Sequence, residues 1–456
     1  MRTKRRRRDK ASVLARRSPF RPFSLPSAFC RSTRRRSVPM SAVTPDEFID
    51  YLKRSALLAP REIDAVASAI RRAVPKALDD APRLASEFVK RGLLTEWHVR
   101  QLLKRKYKGF TLGRYRVLGR LGTGGMSSVY LAEHDITKRR EAVKVLPKPK
   151  AEGEYLKRFH REAQALASLS SPYIVDGYGA DERDGVHFVA MEYFDSLNLR
   201  QLIEKLAENG EALPYEDAAS YIRQAALGLQ HAHERGLVHR DVKPENVLVN
   251  KRKEVKIIDF GLALFVGADV TPGSEKRILG TADYLAPEQT VDSHNLDARA
   301  DLYGLGATLY FCLVGRPPFP NGSVPERLLA HRRKEPTSVF AERLDAWNDL
   351  LQICAKLMAK NPDDRFQTAA EVVDATERCL VRHGFATPFD FGRRDADFAN
   401  LGDGDLGVDV EGLFLSSDAA SKIPGARNLD VSDGAEVLSS KRLSADDDSF
   451  LKSMGF

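Results

Sequence analysis

The sequence predicts an α+β fold of two lobes, one rich in β-strands and one helical, preceded by a small all-α domain and flanked by disordered termini. Short helices are predicted within residues 41–108, short β-type runs begin at Tyr115, and long helical periodicity replaces them after about Tyr215. The 456 residues exceed the length of one ordinary domain. A 43% share of hydrophobic residues is enough to form full-sized cores in both lobes.

The first 39 residues are strongly basic, with 14 Lys and Arg residues against one acidic residue, Asp9. Because the whole chain has a net charge of +9, the remainder is net negative and the basic balance belongs to this segment alone. Residues 1–40 are predicted to be a basic, disordered extension. Met40 opens the first patterned segment, so a true start at Met40 and translation of the whole extension are both left open. Nucleic-acid binding through these charges is a further alternative that rests only on charge, and it is not expected of the folded part.

Residues 41–108 are predicted to form a small helical domain of two degenerate helical-hairpin repeats. A capping box with proline at the first helical position begins the first helix at Pro45. Further helices are expected to begin at Pro60, Pro82 and Thr95. In each repeat, a turn with basic residues followed by two leucines separates the two helices. We expect a packing or dimerisation module, and a sensor or substrate-docking module is the alternative.

A glycine-rich loop lies between two β-type runs at the start of the β-rich lobe. The segment Leu121–Val129 has the sequence L-G-T-G-G-M-S-S-V, and strands are predicted on both sides of it. The loop therefore closes a hairpin and does not open a helix, which disfavours a dinucleotide-binding turn. Without Cβ atoms, Gly122 and Gly124 let backbone amides approach phosphate oxygens. Ser127 stands where such loops usually have a third glycine.

Lys144 lies inside the β-type run Ala142–Leu146, and in isolation it would be an ordinary strand residue. Glu162 follows eighteen residues later, in a segment with the spacing of an amphipathic helix. A carboxylate at that position can hold the ammonium group of Lys144 over the α- and β-phosphates of a nucleotide. The pair therefore indicates a phosphate-binding role.

Three further motifs resemble the signature segments of protein kinases. His239–Asn246, with the sequence H-R-D-V-K-P-E-N, resembles the catalytic loop, and Asp259–Gly261 resembles the D-F-G motif. Gly280–Glu288 resembles the end of the activation segment, which finishes in A-P-E. Over residues 115–383 the chain is similar to bacterial serine/threonine protein kinases of the eukaryotic, or Hanks, type. The N-terminal helical repeat is similar to that of multidomain kinases of planctomycete-like bacteria.

The resemblance implies a two-lobed protein-kinase fold, with an N-lobe at residues 115–193 and a C-lobe at residues 194–383. Asp301 matches the helix aspartate that supports the catalytic loop, and Arg365 matches the arginine that pairs with the glutamate of A-P-E. Residues 384–456 are predicted to be an acidic, mostly disordered tail, because regular periodicity fades there and acidic residues outnumber basic ones.

The function implied by the resemblance is transfer of the γ-phosphoryl group of ATP to Ser and Thr hydroxyls of protein substrates in bacterial signalling. The implied cofactors are ATP and Mg²⁺, with Mn²⁺ as a substitute. Asp241 would orient the substrate hydroxyl and accept its proton, and Lys243 would steady the γ-phosphate. Lys144 and Glu162 would complete the catalytic set, and Met191 would be the gatekeeper beside the hinge. The implied metal ligands are Asn246 and Asp259. The implied nucleotide-binding residues are Leu121, Gly122, Thr123, Gly124, Gly125, Met126, Ser127, Ser128, Val129, Ala142, Lys144, Met191, Glu192, Phe194 and Leu248.

Regulation by phosphorylation is also implied by the resemblance. Arg240 precedes Asp241, as in kinases whose activation segment is ordered by a phosphate that pairs with this arginine. Thr271 and Ser274 are the nearest acceptors, and autophosphorylation of one or both is expected. Self-association for phosphorylation in trans is left open. Ser444 in the tail resembles a kinase site, although a plain solvated tail is the simpler interpretation.

A pseudokinase scaffold that binds nucleotide without catalysis is the alternative from another functional class. Nothing in the sequence favours it, because Lys144, Asp241 and Asp259, which such proteins usually lose, are all present.

The four cysteines form no C-x-x-C pair and no recognised zinc-ligand spacing with histidine, so they fit a reducing compartment. The longest apolar stretch, Leu302–Val314, is short for a bilayer span and contains two glycines. We expect a cytoplasmic protein without a membrane span.

Overall fold

The computed structural model describes residues 43–124, 127–260, 282–290 and 296–385. All of these residues belong to one compact unit. The predictions for the basic extension and for the acidic tail after residue 385 lie outside the described residues. The same holds for Gly125 and Met126 and for the activation-segment residues Gly261, Thr271, Ser274 and Thr281.

The first four helices of the described chain are α1 (Pro45–Arg54), α2 (Pro60–Ala73), α3 (Ala81–Lys90) and α4 (Glu96–Leu103). Their predicted starts are confirmed, with α3 beginning one residue before Pro82. The hydroxyl of Thr44 accepts a hydrogen bond from the backbone of Glu47, whose carboxylate accepts one from the backbone of Thr44, so the predicted capping box forms. A single 3₁₀ turn, Pro75–Leu78, connects α2 to α3.

The four helices pack around one apolar core. The rings of Phe48 in α1 and Phe88 in α3 meet edge to face, with centroids 6.1 Å apart. The turn after α1 and the turn after α3 contain equivalent residues with positive φ, Ala56 at 56° and Gly92 at 69°. The same left-handed turn therefore recurs in both sequence repeats. Other core side chains that are almost fully buried are Leu52, Ile63, Ile70, Leu84, Leu102 and Phe110.

The β-rich lobe is an antiparallel sheet of six strands in the order β1-β2-β3-β4-β6-β5. Its strands are β1 (Thr111–Leu112), β2 (Tyr115–Thr123), β3 (Ser128–His134), β4 (Arg140–Leu146), β5 (Gly177–Arg183) and β6 (Val186–Glu192). Strands β2 and β3 pair up to Thr123 opposite Ser128, so the glycine-rich loop closes a hairpin as predicted. Helix α5 (Gly153–Ala167) packs against this sheet.

The helical lobe follows, with a small second sheet in the order β7-β8-β9. Its strands are β7 (Leu197–Asn198), β8 (Val247–Val249) and β9 (Val255–Ile257). Its helices are α6 (Leu199–Glu208), α7 (Tyr215–His233), α8 (Arg299–Val314), α9 (Val324–Arg333), α10 (Val339–Glu342), α11 (Asn348–Leu357) and α12 (Ala369–Arg382).

Helix α8 is the centre of the helical lobe. It contains the longest apolar stretch of the sequence, and its side chains from Ala300 to Leu313 are all buried. Its apolar character is therefore explained by packing on every side against α7, α11 and their neighbours. Among the described residues, no helix combines the length and the apolar character that crossing a membrane requires.

Candidate active site

Lys144 is the buried centre of an ion network that joins three elements and whose two carboxylates are partly exposed. Its ammonium group, on β4, contacts the carboxylate of Glu162 on α5 and lies 2.7 Å from Oδ1 of Asp259, which follows β9. Burial alone would lower the pKa of Lys144, but the two carboxylates outweigh it and raise the pKa above its ordinary value. The lysine therefore stays charged inside the protein. The sequence-predicted partners Lys144 and Glu162 are brought together.

The segment after α7 brings the side chains of Lys243 and Asn246 into hydrogen-bonding distance of Asp241. Nζ of Lys243 lies 2.9 Å from Oδ1 and 2.7 Å from Oδ2 of Asp241. Nδ2 of Asn246 donates to the backbone oxygen of Asp241 at 2.8 Å and to its Oδ2 at 3.2 Å. Because the amide nitrogen of Asn246 is used in this way, its amide oxygen is the atom that can face a cation.

Asp301, at the start of α8, fixes the backbone that carries Asp241. Its carboxylate oxygens accept hydrogen bonds from the backbone nitrogens of His239 and Arg240, each at 2.7 Å, and Nε2 of His233 lies 2.8 Å away. Arg240 adopts a φ of 66°, a strained value for a residue with a side chain. The predicted support of the loop by Asp301 is confirmed.

His239 connects the catalytic-loop segment to the segment that contains Asp259. Its Nε2 lies 2.9 Å from the backbone oxygen of Ile258, and its ring packs against Phe260 with centroids 4.7 Å apart. Asp259 itself has a φ of 60°. The histidine is fully buried, and its contacts with Ile258 and Phe260 hold the two segments together.

The remaining predicted nucleotide-binding residues lie on the strands that face the gap between the lobes. Ala142 on β4 pairs with Met191 on β6, and both are buried. Val129 on β3 pairs with Lys144, and Leu248 lies on β8 of the second sheet. At the predicted hinge, the carboxylate of Glu192 lies 2.8 Å from Nζ of Lys256 on β9, with Phe194 close by. The exposed residues of the glycine-rich hairpin are Leu121, Gly122, Thr123 and Gly124, followed by partly buried Ser127 and buried Ser128.

A pocket opens beside the buried lysine. Its lining includes the charged groups of Lys144, Glu162 and Asp259 and apolar side chains such as Phe159 and Met191. A concave apolar site with a few convergent charged groups is the usual form of a small-molecule site.

Several contacts that position the site were not predicted from the sequence. Nε of Arg200 lies 2.5 Å from Oε1 of Glu245, and Arg200 also donates to the hydroxyl of Tyr284 at 3.0 Å. The guanidinium of Arg327 pairs with the buried carboxylate of Asp283. These partners are 44 or more residues apart in the sequence, and no local motif connects them.

The segment that resembles the end of an activation segment is anchored to the helical lobe. Arg365 is buried and forms two hydrogen bonds with the carboxylate of Glu288, at 2.6 and 2.7 Å. Nε2 of Gln289 donates to the backbone oxygen of Arg240 at 2.9 Å. The pairing of Arg365 with Glu288, which the sequence predicted, is confirmed.

One cluster brings a cysteine close to a histidine and a carboxylate, although no metal-ligand spacing was recognised in the sequence. Cys379 and His383 at the end of α12 meet Asp349 of α11, with ligand atoms that all lie within 4.8 Å of one another. Burial, aided by Asp349, raises the pKa of the Cys379 thiol to about 12, and Arg382 and His383 already pair with the carboxylate at 3.2 and 3.0 Å. We therefore interpret the cluster as a contact between two helices.

Residues 115–376 match the family model described as "Protein kinase domain". The chain is 38% identical over 267 residues to serine/threonine-protein kinase PknB of Mycolicibacterium smegmatis, a match that covers 57% of this chain and 42% of that protein. It is 36% identical over 273 residues to PknF of Mycobacterium tuberculosis, covering 59% of this chain and 56% of that protein. With PrkC of Bacillus subtilis it is 35% identical over 261 residues, covering 57% of this chain and 39% of that protein. The chain thus spans about half of the length of these relatives.

Proposed function

This chain belongs to the protein kinase domain family, and from that premise we propose that it transfers the γ-phosphoryl group of ATP to Ser and Thr hydroxyls of protein substrates. The two-lobed kinase fold and the homology to bacterial serine/threonine kinases are as the sequence predicted. The observation that carries the proposal is the convergence of charged groups. Lys144 joins Glu162 to Asp259, while Asp241 lies within hydrogen-bonding distance of Lys243 and Asn246.

In the proposed reaction, the substrate hydroxyl oxygen forms a bond to the γ-phosphorus as the bond from that phosphorus to the β-phosphate oxygen breaks. Asp241 accepts the hydroxyl proton, and ADP leaves with the former bridging oxygen. Lys243 lies 2.7 Å from Asp241, so its charge can follow the transferred group. Because little covalent chemistry is asked of the protein, alignment and charge stabilisation supply most of the rate enhancement.

A divalent cation would be held by Asn246 and Asp259. The amide oxygen of Asn246 and a carboxylate oxygen of Asp259 are hard oxygen donors, which suit Mg²⁺ and also Mn²⁺. When bound, such a cation neutralises charge on the phosphate oxygens. Lys144 would release part of its contact with Asp259 when phosphate oxygens are available to it.

The acceptor class, regulation and location complete the proposal. Ser and Thr acceptors are inferred from Lys243-Pro244-Glu245 and from Thr281. Nε of Arg240 is buried without a hydrogen-bond partner among the described residues, which supports a phosphate partner on Thr271 or Ser274. Phosphorylation in trans by a second copy stays a prediction. A cytoplasmic location is inferred from the cysteines, since Cys312, Cys354 and Cys379 are free thiols.

The proposal is tested with purified protein, labelled Mg-ATP and a generic acceptor protein. Wild type should label Ser and Thr residues, whereas Asp241→Asn should lose at least about 100-fold in rate because general-base catalysis is removed. Asp374→Asn makes the same change at an exposed position of α12 and should behave as wild type. Wild type that binds nucleotide but labels neither itself nor the acceptor would contradict the proposal and favour the pseudokinase alternative.

A further inference from the structure

The helical segment Pro45–Leu103 contacts β2, the strand that leads into the glycine-rich loop. Trp97 of α4 packs against both the helical core and the core of the β-sheet. Its ring meets Phe110 and Tyr130 edge to face, with centroids 5.6 and 6.2 Å apart. Strand β1 pairs with only two residues of β2, Tyr115 and Arg116, and α4 packs against β2 as well.

Three consecutive residues of β2 are hydrogen-bonded to the helical segment. The guanidinium of Arg116 donates to the backbone oxygen of Leu93 at 3.0 Å. Nε2 of His98 lies 2.6 Å from the backbone oxygen of Val117. The hydroxyl of Thr95 donates to the next backbone oxygen along β2, also at 2.6 Å. The pairing of β2 with β3 is irregular between Val117 and Gly119, so these side chains support the strand where its ladder is interrupted.

The cap of α4 and its contacts with β2 use the same two side chains. The hydroxyl of Thr95 accepts from the backbone nitrogen of His98 at 3.2 Å, and the backbone nitrogen of Thr95 donates to Nδ1 of His98 at 3.1 Å. Because Nδ1 is an acceptor, the ring proton is on Nε2, which donates to Val117. His98 is fully buried. A shift of β2 would therefore break a buried hydrogen bond and disturb the start of α4.

Strand β2 continues without interruption into the glycine-rich hairpin. It ends at Thr123, three residues after Arg120. Beyond this point, the backbone nitrogen of Gly124 donates a hydrogen bond to the backbone oxygen of Ser127 at 2.8 Å. Leu121 to Gly124 are exposed, so few other contacts restrain them. The position of the loop is consequently set at the base of the hairpin, where α4 is attached.

We propose that Thr95 and His98 are positioning residues that hold the base of the glycine-rich hairpin in its nucleotide-binding position. The helical segment Pro45–Leu103 is then a structural part of the nucleotide site and a means of changing nucleotide affinity from outside the cleft. This inference rests on the proposed kinase function, because it assigns phosphate binding to the hairpin. It concerns nucleotide binding and leaves the transfer step to Asp241.

The test uses the full chain with His98→Ala and Thr95→Val. Both should raise KM for ATP and the nucleotide dissociation constant about 10-fold, with kcat changed less than about 2-fold, because a misplaced loop weakens phosphate contacts but leaves the catalytic loop intact. Amide hydrogen exchange in β2 and β3 should increase. His98→Gln and Thr95→Ser retain a donor and should recover most of the affinity. Arg61→Ala changes an exposed residue of α2 and should leave KM, the dissociation constant, kcat and the exchange rates unchanged.

The result that overturns the inference is an unchanged KM, dissociation constant and strand exchange in folded His98→Ala and Thr95→Val. Equal losses in the conservative variants would also overturn it, because the retained donors would then be irrelevant. Either result leaves the kinase proposal intact. Conversely, wild type that binds nucleotide but transfers no phosphate refutes the kinase proposal, while the dissociation constants and exchange rates still decide whether α4 controls the hairpin.

Discussion

At the scale of single residues, the site depends on two paired lysines, Lys144 and Lys243. Lys144 keeps its charge because Glu162 and Asp259 flank it, and Asp241 keeps Lys243 beside it. Removing one member of such a group leaves its partner uncompensated in a place of low solvent access. The sequence identified each of these residues, because kinase-like motifs have fixed local spacing. It did not identify Arg200 or Asp283, whose partners are distant in the chain.

Replacing Lys144 by Met should lower kcat/KM for phosphoryl transfer by at least about 100-fold. The physical reason is loss of the charged group that orients the nucleotide phosphates, together with repulsion between the carboxylates of Glu162 and Asp259. The measurement is a steady-state labelling assay with Mg-ATP. Lys138→Met, a change in an exposed turn of the same sheet, is the matched control. Activity within about 3-fold of wild type for Lys144→Met would show that the lysine has no such role.

At the scale of elements, α8 is the scaffold of the segment His239–Asn246. Asp301 holds the backbone of His239 and Arg240, and one turn later Gly304 lies against the same loop. A Cβ added to Gly304 would lie 2.7 Å from the backbone oxygen of Val242. On another face of the helix, a Cβ added to Gly306 would lie 2.6 Å from Cβ of Leu357 in α11. The sequence indicated that this apolar stretch does not span a membrane, but it did not show what each glycine packs against.

The two glycines of α8 provide a matched pair of substitutions. Gly304→Ala and Gly306→Ala should each destabilise the fold by about 1–3 kcal/mol through overpacking. Only Gly304→Ala should also lower kcat of the folded protein, because it displaces the segment that contains Asp241. Thermal unfolding and kcat measured well below the unfolding temperature separate the two effects. Equal kcat values for both variants would contradict the role of α8 in placing the loop.

At the scale of the whole molecule, the helical segment and the kinase region share an interface and belong to one compact unit. The interface buries a histidine that would otherwise titrate near neutral pH. Burial lowers the pKa of His98 to about 4, its bond to Val117 opposes that shift, and the cation of Arg116 on β2 adds to it. The folded protein therefore holds His98 neutral.

This burial makes stability dependent on pH. An unfolded chain protonates His98 near pH 6.5, whereas the folded chain does so only near pH 4. The contribution of His98 to the free energy of unfolding is therefore constant above about pH 6.5, and it decreases as the pH falls from 6.5 to 4. Denaturant unfolding gives the free energy of unfolding at pH 7 and at pH 5. Its decrease between the two pH values should be about 2 kcal/mol smaller for His98→Gln than for wild type.

A residual loss in that variant is expected from His331, whose pKa burial lowers to about 3. Its ring lies in the helical lobe beside Tyr303, far along the chain from the interface. The double variant His98→Gln, His331→Gln should therefore lose less stability on acidification than either single variant. Identical pH dependence in wild type and His98→Gln would mean that His98 is not held neutral by burial.

The sequence by itself determined most of the local elements and identified the residues of the candidate site. Helix starts follow from capping boxes and prolines, and the glycine-rich hairpin follows from strands on both sides of the loop, because such signals act over a few residues. Tertiary structure alone decided that α4 covers β2, that His98 bonds to Val117, and that Cys379 meets Asp349. Such contacts join residues 19 or more positions apart, and they depend on how the faces of packed elements fit together, which no local pattern specifies.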